Sequence, residues 1–311
     1  MAKSAGDKIT ELDYNTLQSN IAVIMGTPAG TTDTTATGYN QSLSSSQVSV
    51  GNKVTAAQWD NLRSDITKAY THQFGSAPTI TDVGTSTTID AATYNQYEAL
   101  MTTVSGDPNR YTLGFGQSSI STGQTAELSA GWNGTQTHQF TVTFASANER
   151  RAFFNAGGQI RYNISLAYTG SESKTLDWQN MMDAVSTMRF NYKETTRNGV
   201  TVTSNIGNYD LTSTFQTIIS SDGTNPYAEN RIFVSARANS ATQLEFRVGL
   251  TDDDAGDRPV PSPPPPYGPL VDENVQGTTT GNVFILRPSG SNVSVPAPTV
   301  AAAAGNTFTV I

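Results

Sequence analysis

The 311-residue chain contains no cysteine, so it has no disulfide framework and no thiolate chemistry. Charged residues make up only 14% of the sequence and give a net charge of −8. The densest basic spot, Glu149-Arg150-Arg151, is too small to drive binding to nucleic acid or to an anionic membrane. The sequence also lacks an apolar run long enough to span a bilayer and the apolar region of a signal peptide. We therefore expect synthesis in the cytoplasm, with no nucleic-acid partner and no membrane insertion.

Catalytic and metal-binding patterns are scarce as well. The two histidines, His72 and His138, do not have the spacing of metal ligands, and no G-x-S-x-G elbow is present. The stretch Asp252–Asp257 carries four carboxylates beside a glycine, which is suitable for Ca²⁺, but it departs from the EF-hand pattern. A solvated loop is the simpler interpretation of that stretch, and calcium binding stays open. The sequence predicts no enzyme, no cofactor and no catalytic or metal site.

What the sequence does contain is a short motif written three times in its first hundred residues. The copies begin at Ile9, Val54 and Ile89 and read ITELDYNTL, VTAAQWDNL and IDAATYNQY. Each copy has a β-branched residue, then a residue type that favours a helix N-cap, then an aromatic residue followed by Asn or Asp. The pattern predicts three helix starts with variable connections between them.

Apolar side chains in each copy recur at i, i+3 and i+7, which places them on one helical face. Helices this short must bury that face against each other or against a neighbour. A self-packed helical domain is the favoured interpretation, and a module that docks on a partner subunit is a compatible alternative. The candidate assembly residues are the repeated positions and the end of the chain, namely Tyr14, Leu17, Trp59, Leu62, Tyr94, Tyr97, Phe308 and Ile311.

After the repeats, the pattern changes to strands. Gln139–Phe144 and Gln159–Leu166 alternate between apolar and polar residues, as half-buried strands do. Between them, Ser146 and Glu149 have capping-box spacing and open a short helix that Gly157-Gly158 stops. A second helix is predicted over Leu176–Met188, followed by strands near 189–193, 199–203, 215–219, 231–236 and 244–250.

These elements predict a mainly β fold. We expect a helical repeat region over residues 1–104 and an antiparallel β-sandwich with short helical insertions over 105–257. Residues 258–270 form a Pro-rich spacer, predicted to adopt a polyproline conformation, and residues 271–311 an extended C-terminal arm that contains one strand near Asn282–Arg287.

One segment carries a resemblance to a known class of proteins. The segment FTVTFASANERRAFFNAGGQIR, residues 140–161, resembles a segment of virion structural proteins of tailed bacteriophages, including those of marine cyanophages. The helix repeats are similar to those proteins too, and the two elements occur in the same order over roughly residues 1–250.

The resemblance implies a non-enzymatic subunit of the neck, tail, baseplate or fibre. Such a subunit resides in the virion, and its partners are copies of itself and other virion proteins. The resemblance brings no catalytic residues with it. The mechanism we expect is assembly through the N-terminal repeats and the C-terminal arm.

The alternative function is a carbohydrate-binding adhesin. In that case, loops at one end of the sandwich present aromatic side chains such as Trp132, Tyr227 and Tyr267 to host surface glycans. Ordinary packing is the favoured interpretation of these three side chains.

Overall fold

A computed structural model describes residues 2–85, 88–106, 118–197, 201–254, 258–259, 270–271, 273–302 and 309–310. The chain divides into two compact units. The helical unit contains residues 1–119, 146–158 and 286–297, and the sheet unit contains residues 120–145, 159–285 and 298–311.

The helical unit is built from the three repeats, which form helices α1 (Glu11–Met25), α2 (Ala56–Phe74) and α3 (Ala91–Gly106). Each of the three helices packs against the other two. The predicted N-caps are confirmed, since Thr10 and Thr55 form complete capping boxes and Asp90 accepts a hydrogen bond from the backbone N–H of Thr93 at 2.8 Å. A fourth helix, α4 (Ala147–Asn155), begins after Ser146, whose hydroxyl accepts from the backbone N–H of Glu149.

The sheet unit contains two antiparallel sheets packed together. In spatial order, the first sheet comprises β1 (Ser118–Leu128), β12 (Thr278–Pro288), β3 (Gln159–Ala167), β4 (Thr187–Phe190), β5 (Thr195–Arg197) and β6 (Thr201–Ser204). The second sheet comprises β13 (Thr299–Ala302), β2 (Thr135–Thr143), β9 (Gln243–Thr251), β8 (Arg231–Ser240) and β7 (Gln216–Asp222), and β14 (Thr309–Val310) also pairs with β2. Helix α5 (Ser173–Val185) packs on β3, and a small hairpin joins β10 (Arg258–Pro259) to β11 (Leu270–Val271).

Aromatic rings from both sheets meet in the core of the sheet unit. Phe140 on β2 stacks on Phe246 of the neighbouring β9, with 5.0 Å between ring centroids. The same Phe140 ring stacks on Tyr162 of β3 in the other sheet at 5.7 Å, and Phe190 of β4 meets Phe246 edge-on at 5.2 Å. Because these contacts join the inner faces of the two sheets, the predicted sandwich is confirmed at this level.

The second helix differs from its predicted bounds. The apolar spacing predicts a helix that continues to Met188, but α5 ends at Val185 and Met188 lies in β4. Ser186 has a φ of 48°, and this left-handed conformation ends the helix before the strand begins. The buried positions Trp178, Met182 and Val185 are as predicted.

The C-terminal segment takes part in both sheets. The strand predicted near residues 282–287 is confirmed as β12, which lies between β1 and β3. Strands β13 and β14 both run antiparallel to β2, pairing Thr299 with Thr143 and Thr309 with Thr137. Residues 260–269, which carry most of the predicted polyproline segment, lie outside the described residues.

Candidate functional site

The repeated aromatic residues of the helical unit form one continuous cluster. The rings of Tyr14 and Trp59 meet edge-on with centroids 5.3 Å apart, and Trp59 meets Tyr97 in the same way at 5.3 Å. Trp59 of the second repeat therefore contacts a ring from each of the other two repeats. The six predicted assembly residues of the repeats are all buried, and they are Tyr14, Leu17, Trp59, Leu62, Tyr94 and Tyr97.

Burial also sets the electrostatics of this cluster. It raises the pKa of Tyr14 to about 12, and the nearby carboxylate of Asp65 acts in the same direction. The Tyr14 hydroxyl donates a hydrogen bond of 3.1 Å to the backbone oxygen of Ser46. The hydroxyl is therefore held in its neutral form as a structural donor, and it is not poised for acid–base chemistry.

The asparagine that follows the aromatic residue ties one repeat to another. Asn15 Nδ2 donates to the backbone oxygen of Val48 at 2.8 Å, while its Oδ1 accepts from the backbone N–H of Val48 at 2.8 Å. Asn95 makes the same pair of bonds with Lys3, at 2.9 and 2.7 Å. Val48 and Lys3 are equivalent positions, since each lies six residues before the start of a repeat.

These bonds run around the unit in one direction. The first repeat binds the segment before the second, and the third repeat binds the segment before the first. At the remaining junction the second repeat carries Asp60 instead of asparagine, and Arg63 contacts both Asp60, at 2.5 Å, and Asp82, at 3.7 Å. Asp82 belongs to the segment before the third repeat, so the cycle closes through an ion pair. The helical unit is thus an approximate three-fold arrangement within a single chain.

The beginnings of the three repeats line a shared surface depression. Its volume is about 580 Å³, and it contains the β-branched first residue of each copy, Ile9, Val54 and Ile89. Lys8 and Lys53, which also occupy equivalent positions, lie at the same depression. The three helices therefore start at the same end of the unit.

The outer face of α1 is uncharged and carries two exposed apolar side chains. Leu12 is 71% exposed and Val23 is 53% exposed, and Thr16 and Ser19 lie between them on the same face. A surface groove of about 550 Å³ begins at Val23 and continues past Leu43. An uncharged helix face with an exposed apolar side chain near each end is a candidate interaction surface.

The segment that carries the phage resemblance has a structural role in the helical unit. Phe153 and Phe154 are fully buried, and their rings meet edge-on at 5.0 Å. Asn155 Nδ2 donates to the backbone oxygens of Thr37 and Gly38 at 2.8 and 3.0 Å. The backbone oxygen of Ala156 accepts from His72 Nε2 at 3.1 Å, so the end of α4 is held by α2. These residues of the segment all act in packing or in backbone capping.

The two glycines of this segment are required for different reasons. Gly157 has a φ of 95°, a left-handed conformation that favours glycine. Gly158 has no space for a side chain, because a Cβ there would lie 2.6 Å from the backbone oxygen of Phe153 and from its ring.

A buried charged cluster lies in the sheet unit. The Lys174 ammonium, at the start of α5, is 2.9 Å from Asp252 Oδ2 and 3.5 Å from Asp254 Oδ2, just beyond the end of β9. Two carboxylates of the stretch considered for calcium thus already face a cation of the chain itself. Among the described residues, no three His, Cys, Asp or Glu side chains are grouped to hold a metal ion. Residues 255–257 lie outside the described part.

Two of the three aromatic side chains considered for glycan binding lie in the interior of the sheet unit. Trp132 and Tyr227 are buried, and Trp132 packs edge-on against Trp178 at 4.8 Å. Tyr267, Phe308 and Ile311 lie outside the described residues.

A different aromatic residue, Phe233, lines an open depression of about 510 Å³ on the second sheet. Polar side chains surround it, including Glu229, Arg231 and Asp253. The ring of Phe233 lies across Gly249, where a Cβ would be 2.1 Å from the ring.

Sequence reasoning identified the buried cluster of the repeats but missed three features. These are the exposed face of α1, the bonds made by Asn15 and Asn95, and the partnership of Lys174 with the aspartates. The repetition of asparagine after the aromatic residue was a usable signal for the second feature. Asp252 and Asp254 lie 78 and 80 residues after Lys174 in sequence, and no local pattern connects them to it.

No protein-family model, curated protein or solved structure matches this chain. No helix in the described part of the chain has the length and apolar character needed to cross a membrane.

Proposed function

We propose that the chain is a non-enzymatic structural subunit of a tailed bacteriophage virion, a component of the neck, tail, baseplate or fibre. The observation that carries this proposal is the structural role of the segment that resembles phage virion proteins. Phe153, Phe154 and Asn155 are buried. Asn155 donates to the backbone oxygen of Thr37, and the backbone oxygen of Ala156 accepts from the side chain of His72. A segment whose residues pack and form hydrogen bonds in this way maintains the fold, and this is the role we expect in a structural subunit of a particle.

The cyclic arrangement of the repeats supports the same proposal. Three short helices that are capped individually and joined by reciprocal hydrogen bonds make a rigid block. The candidate assembly side chains Tyr14, Trp59 and Tyr97 form the interior of this block. Docking therefore involves the outer surface of the block, which these side chains hold in shape.

The surface that we assign to docking is the outer face of α1, and its occupant is the same face of a second copy. Leu12 and Val23 are centred on the point of α1 between Leu17 and Gln18, and Thr16 and Ser19 are centred on the same point. When two such helices pack antiparallel about a two-fold axis, Leu12 meets Val23 and Thr16 meets Ser19. The small central residues allow close approach, and no charged side chain interrupts the face between Leu12 and Val23.

The C-terminal strands offer a second route to assembly. Strands β13 and β14 lie at the edge of the second sheet, where they pair only with β2 among the described strands. The same main-chain hydrogen bonds would form if the arm added to β2 of a neighbouring copy. An arm exchanged in this way would link subunits in the particle.

The test is the molar mass of the full-length protein by light scattering over a range of concentrations. We expect a defined oligomer for the wild type, and a shift toward the monomer for the double variant Leu12→Lys, Val23→Lys. The matched control is Thr102→Lys, Thr103→Lys, which adds the same charge at exposed positions of α3 and should leave the oligomer intact. A double variant with an unchanged molar mass would exclude this face as the contact.

The second candidate function is glycan binding, which the depression at Phe233 favours. A half-buried aromatic ring with carboxylates and hydroxyl groups around it suits the apolar face and the hydroxyls of a sugar ring. Binding on a glycan array that is lost in Phe233→Ala and retained in Trp132→Phe would support this function. The absence of binding on the array would exclude glycan binding as the function.

A further inference from the structure

The buried cluster of Lys174, Asp252 and Asp254 has the geometry of a reactive site. Lys174 is only 1% exposed, and the Asp252 side chain is fully buried. The distance of 2.9 Å from Lys174 Nζ to Asp252 Oδ2 brings the amine nitrogen next to the carboxyl carbon. The second carboxyl group, of Asp254, is 3.5 Å from the same nitrogen.

As a set of ions, this cluster is costly. One ammonium and two carboxylates are removed from water here, and buried ion pairs seldom stabilise a fold as well as apolar packing does. Lys174 is also the second residue of α5, where the helix dipole disfavours a cation. Stability alone therefore does not explain a lysine at this position.

The backbone around the cluster is held in place by neighbouring elements. Trp178 lies one helical turn after Lys174 on the same face of α5, and its ring packs against Trp132. The backbone N–H of Asp252 donates to the oxygen of Gly134 at 2.9 Å, and that of Asp254 donates to Asn230 Oδ1 at 3.1 Å. Both aspartates are thus held in place beside the amine.

We infer that Lys174 and Asp252 join in an intramolecular isopeptide bond, with Asp254 as the proton carrier. Asp254 takes the proton from the Lys174 ammonium, and the free amine attacks Cγ of Asp252. The new C–N bond forms, Asp254 returns the first proton to one oxygen of Asp252, and a second proton passes from the attacking nitrogen through Asp254 to the same oxygen. The C–O bond then breaks and this oxygen leaves as water. The products are one amide and one water molecule, so no oxidant or further reactant is needed. The remaining charge of the cluster is the carboxylate of Asp254.

This bond would tie the two sheets together covalently. Lys174 belongs to the helix that packs on β3 of the first sheet, and Asp252 follows directly on β9 of the second sheet. The cross-link would close a long loop of a chain that has no cysteine, and it would do so without depending on a redox environment. The inference rests on the cluster alone and holds whether or not the chain is a virion subunit.

The experiment is intact mass spectrometry of the full-length protein, followed by peptide mapping. We expect a mass one water molecule below that of the sequence, with trypsin unable to cleave after Lys174 and the peptide containing Lys174 linked to the one containing Asp252. The full sequence mass would overturn the inference. A lost water that maps to Asp222-Gly223, a sequence suited to succinimide formation, would overturn it as well.

Variants identify the role of each group. Lys174→Arg should have its full sequence mass, and Asp252→Asn should instead be one ammonia molecule light, because an amide leaving group departs as ammonia. Asp254→Asn, which keeps the shape of the side chain but cannot carry the proton, should stay at full mass. Asp253→Asn is the matched control on the exposed neighbouring residue, and it should remain one water molecule light. Formation of the Lys174–Asp252 bond in Asp254→Asn would show that Asp254 is not the proton carrier.

Discussion

Asn15 and Val48 exchange two hydrogen bonds, both 2.8 Å long, between a side-chain amide and a backbone peptide group. Asn95 and Lys3 repeat the arrangement at the junction between the third and first copies. A side-chain amide that satisfies both groups of one peptide unit imitates a β-ladder pair. It fixes the loop before a repeat onto the helix of another repeat, and we expect it to contribute to the stability of the whole helical unit.

The first prediction concerns these two asparagines. Asn15→Ala and Asn95→Ala should each lower the free energy of unfolding of the helical unit by about 1–2 kcal/mol, since each leaves a part-buried peptide group without its partners. Urea unfolding followed by tryptophan fluorescence measures the change, because Trp59 reports on this unit. Asn20→Ala, at an exposed position of α1, is the control and should stay within about 0.5 kcal/mol of the wild type. Equal effects at positions 15 and 20 would contradict the bridging role.

The second prediction compares a glycine that is favoured by its backbone conformation, Gly51, with one that is required by lack of space, Gly158. Gly51 has a φ of 84° and open space around its Cα, so Gly51→Ala should cost only the backbone strain, about 1 kcal/mol. Gly158→Ala should cost more, about 2–3 kcal/mol, because its Cβ would overlap the backbone oxygen and ring of Phe153. Thermal unfolding of both variants beside the wild type provides the comparison. A Gly158 variant that is as stable as the Gly51 variant would show that α4 can shift without cost.

The third prediction is a loss of stability in mild acid. Burial lowers the pKa of His72 from 6.5 to about 4, and its hydrogen bond to Ala156 acts in the opposite direction; burial also lowers the pKa of His138 to about 4. Between pH 6.5 and 4 the unfolded chain binds more protons than the native chain. The contribution of the two neutral imidazoles to the free energy of unfolding is therefore complete above pH 6.5 and declines as the pH falls toward 4. Each buried imidazole should account for roughly 3 kcal/mol over that interval.

The measurement is the free energy of unfolding against pH for the wild type and for His72→Gln, whose amide can still donate to the Ala156 oxygen. Between pH 6.5 and 4, the free energy of unfolding of the variant should fall by about half as much as that of the wild type. An unchanged decline in His72→Gln would mean that other groups determine the acid sensitivity.

The fourth prediction distinguishes two C-terminal truncations. A chain that ends at Ala297 loses β13 and β14 but keeps β12, so both sheets should still form, with β2 left as an open edge. A chain that ends at Asp254 also loses β12, and with it the buried residues Val283 and Ile285 between β1 and β3, so the sheet unit should not fold cooperatively. Far-ultraviolet circular dichroism with thermal unfolding separates these outcomes. Cooperative unfolding of the shorter chain would show that β12 is dispensable.

The sequence predicts much of this fold because its signals are local. Thr10 and Thr55 lie where capping requires them, and the alternation through Phe140 and Val142 identifies β2. Periodicity fails at the end of α5, where Met188 continues the apolar spacing although Ser186 has already turned the chain. It also fails at β1, since a run rich in Ser, Thr and Gly gives no alternating pattern.

The candidate sites were harder to predict because they depend on distant contacts. Trp59 is central because two rings from other repeats meet it, and that follows from the three-fold packing and not from its own neighbours in sequence. Lys174 is ordinary in sequence and becomes distinctive only beside Asp252. Exposure of Leu12 on α1 could have been inferred from the helical wheel once Tyr14 and Leu17 were assigned to the core.

The most direct test of the proposed function is immunogold labelling of tailed-phage particles purified from a culture that expresses this chain, with an antibody raised against the folded protein. We predict gold at a fixed position on the neck, tail, baseplate or fibre, and the chain among the proteins of density-purified particles. A chain that is abundant in the infected-cell lysate but absent from the particles would contradict the proposal.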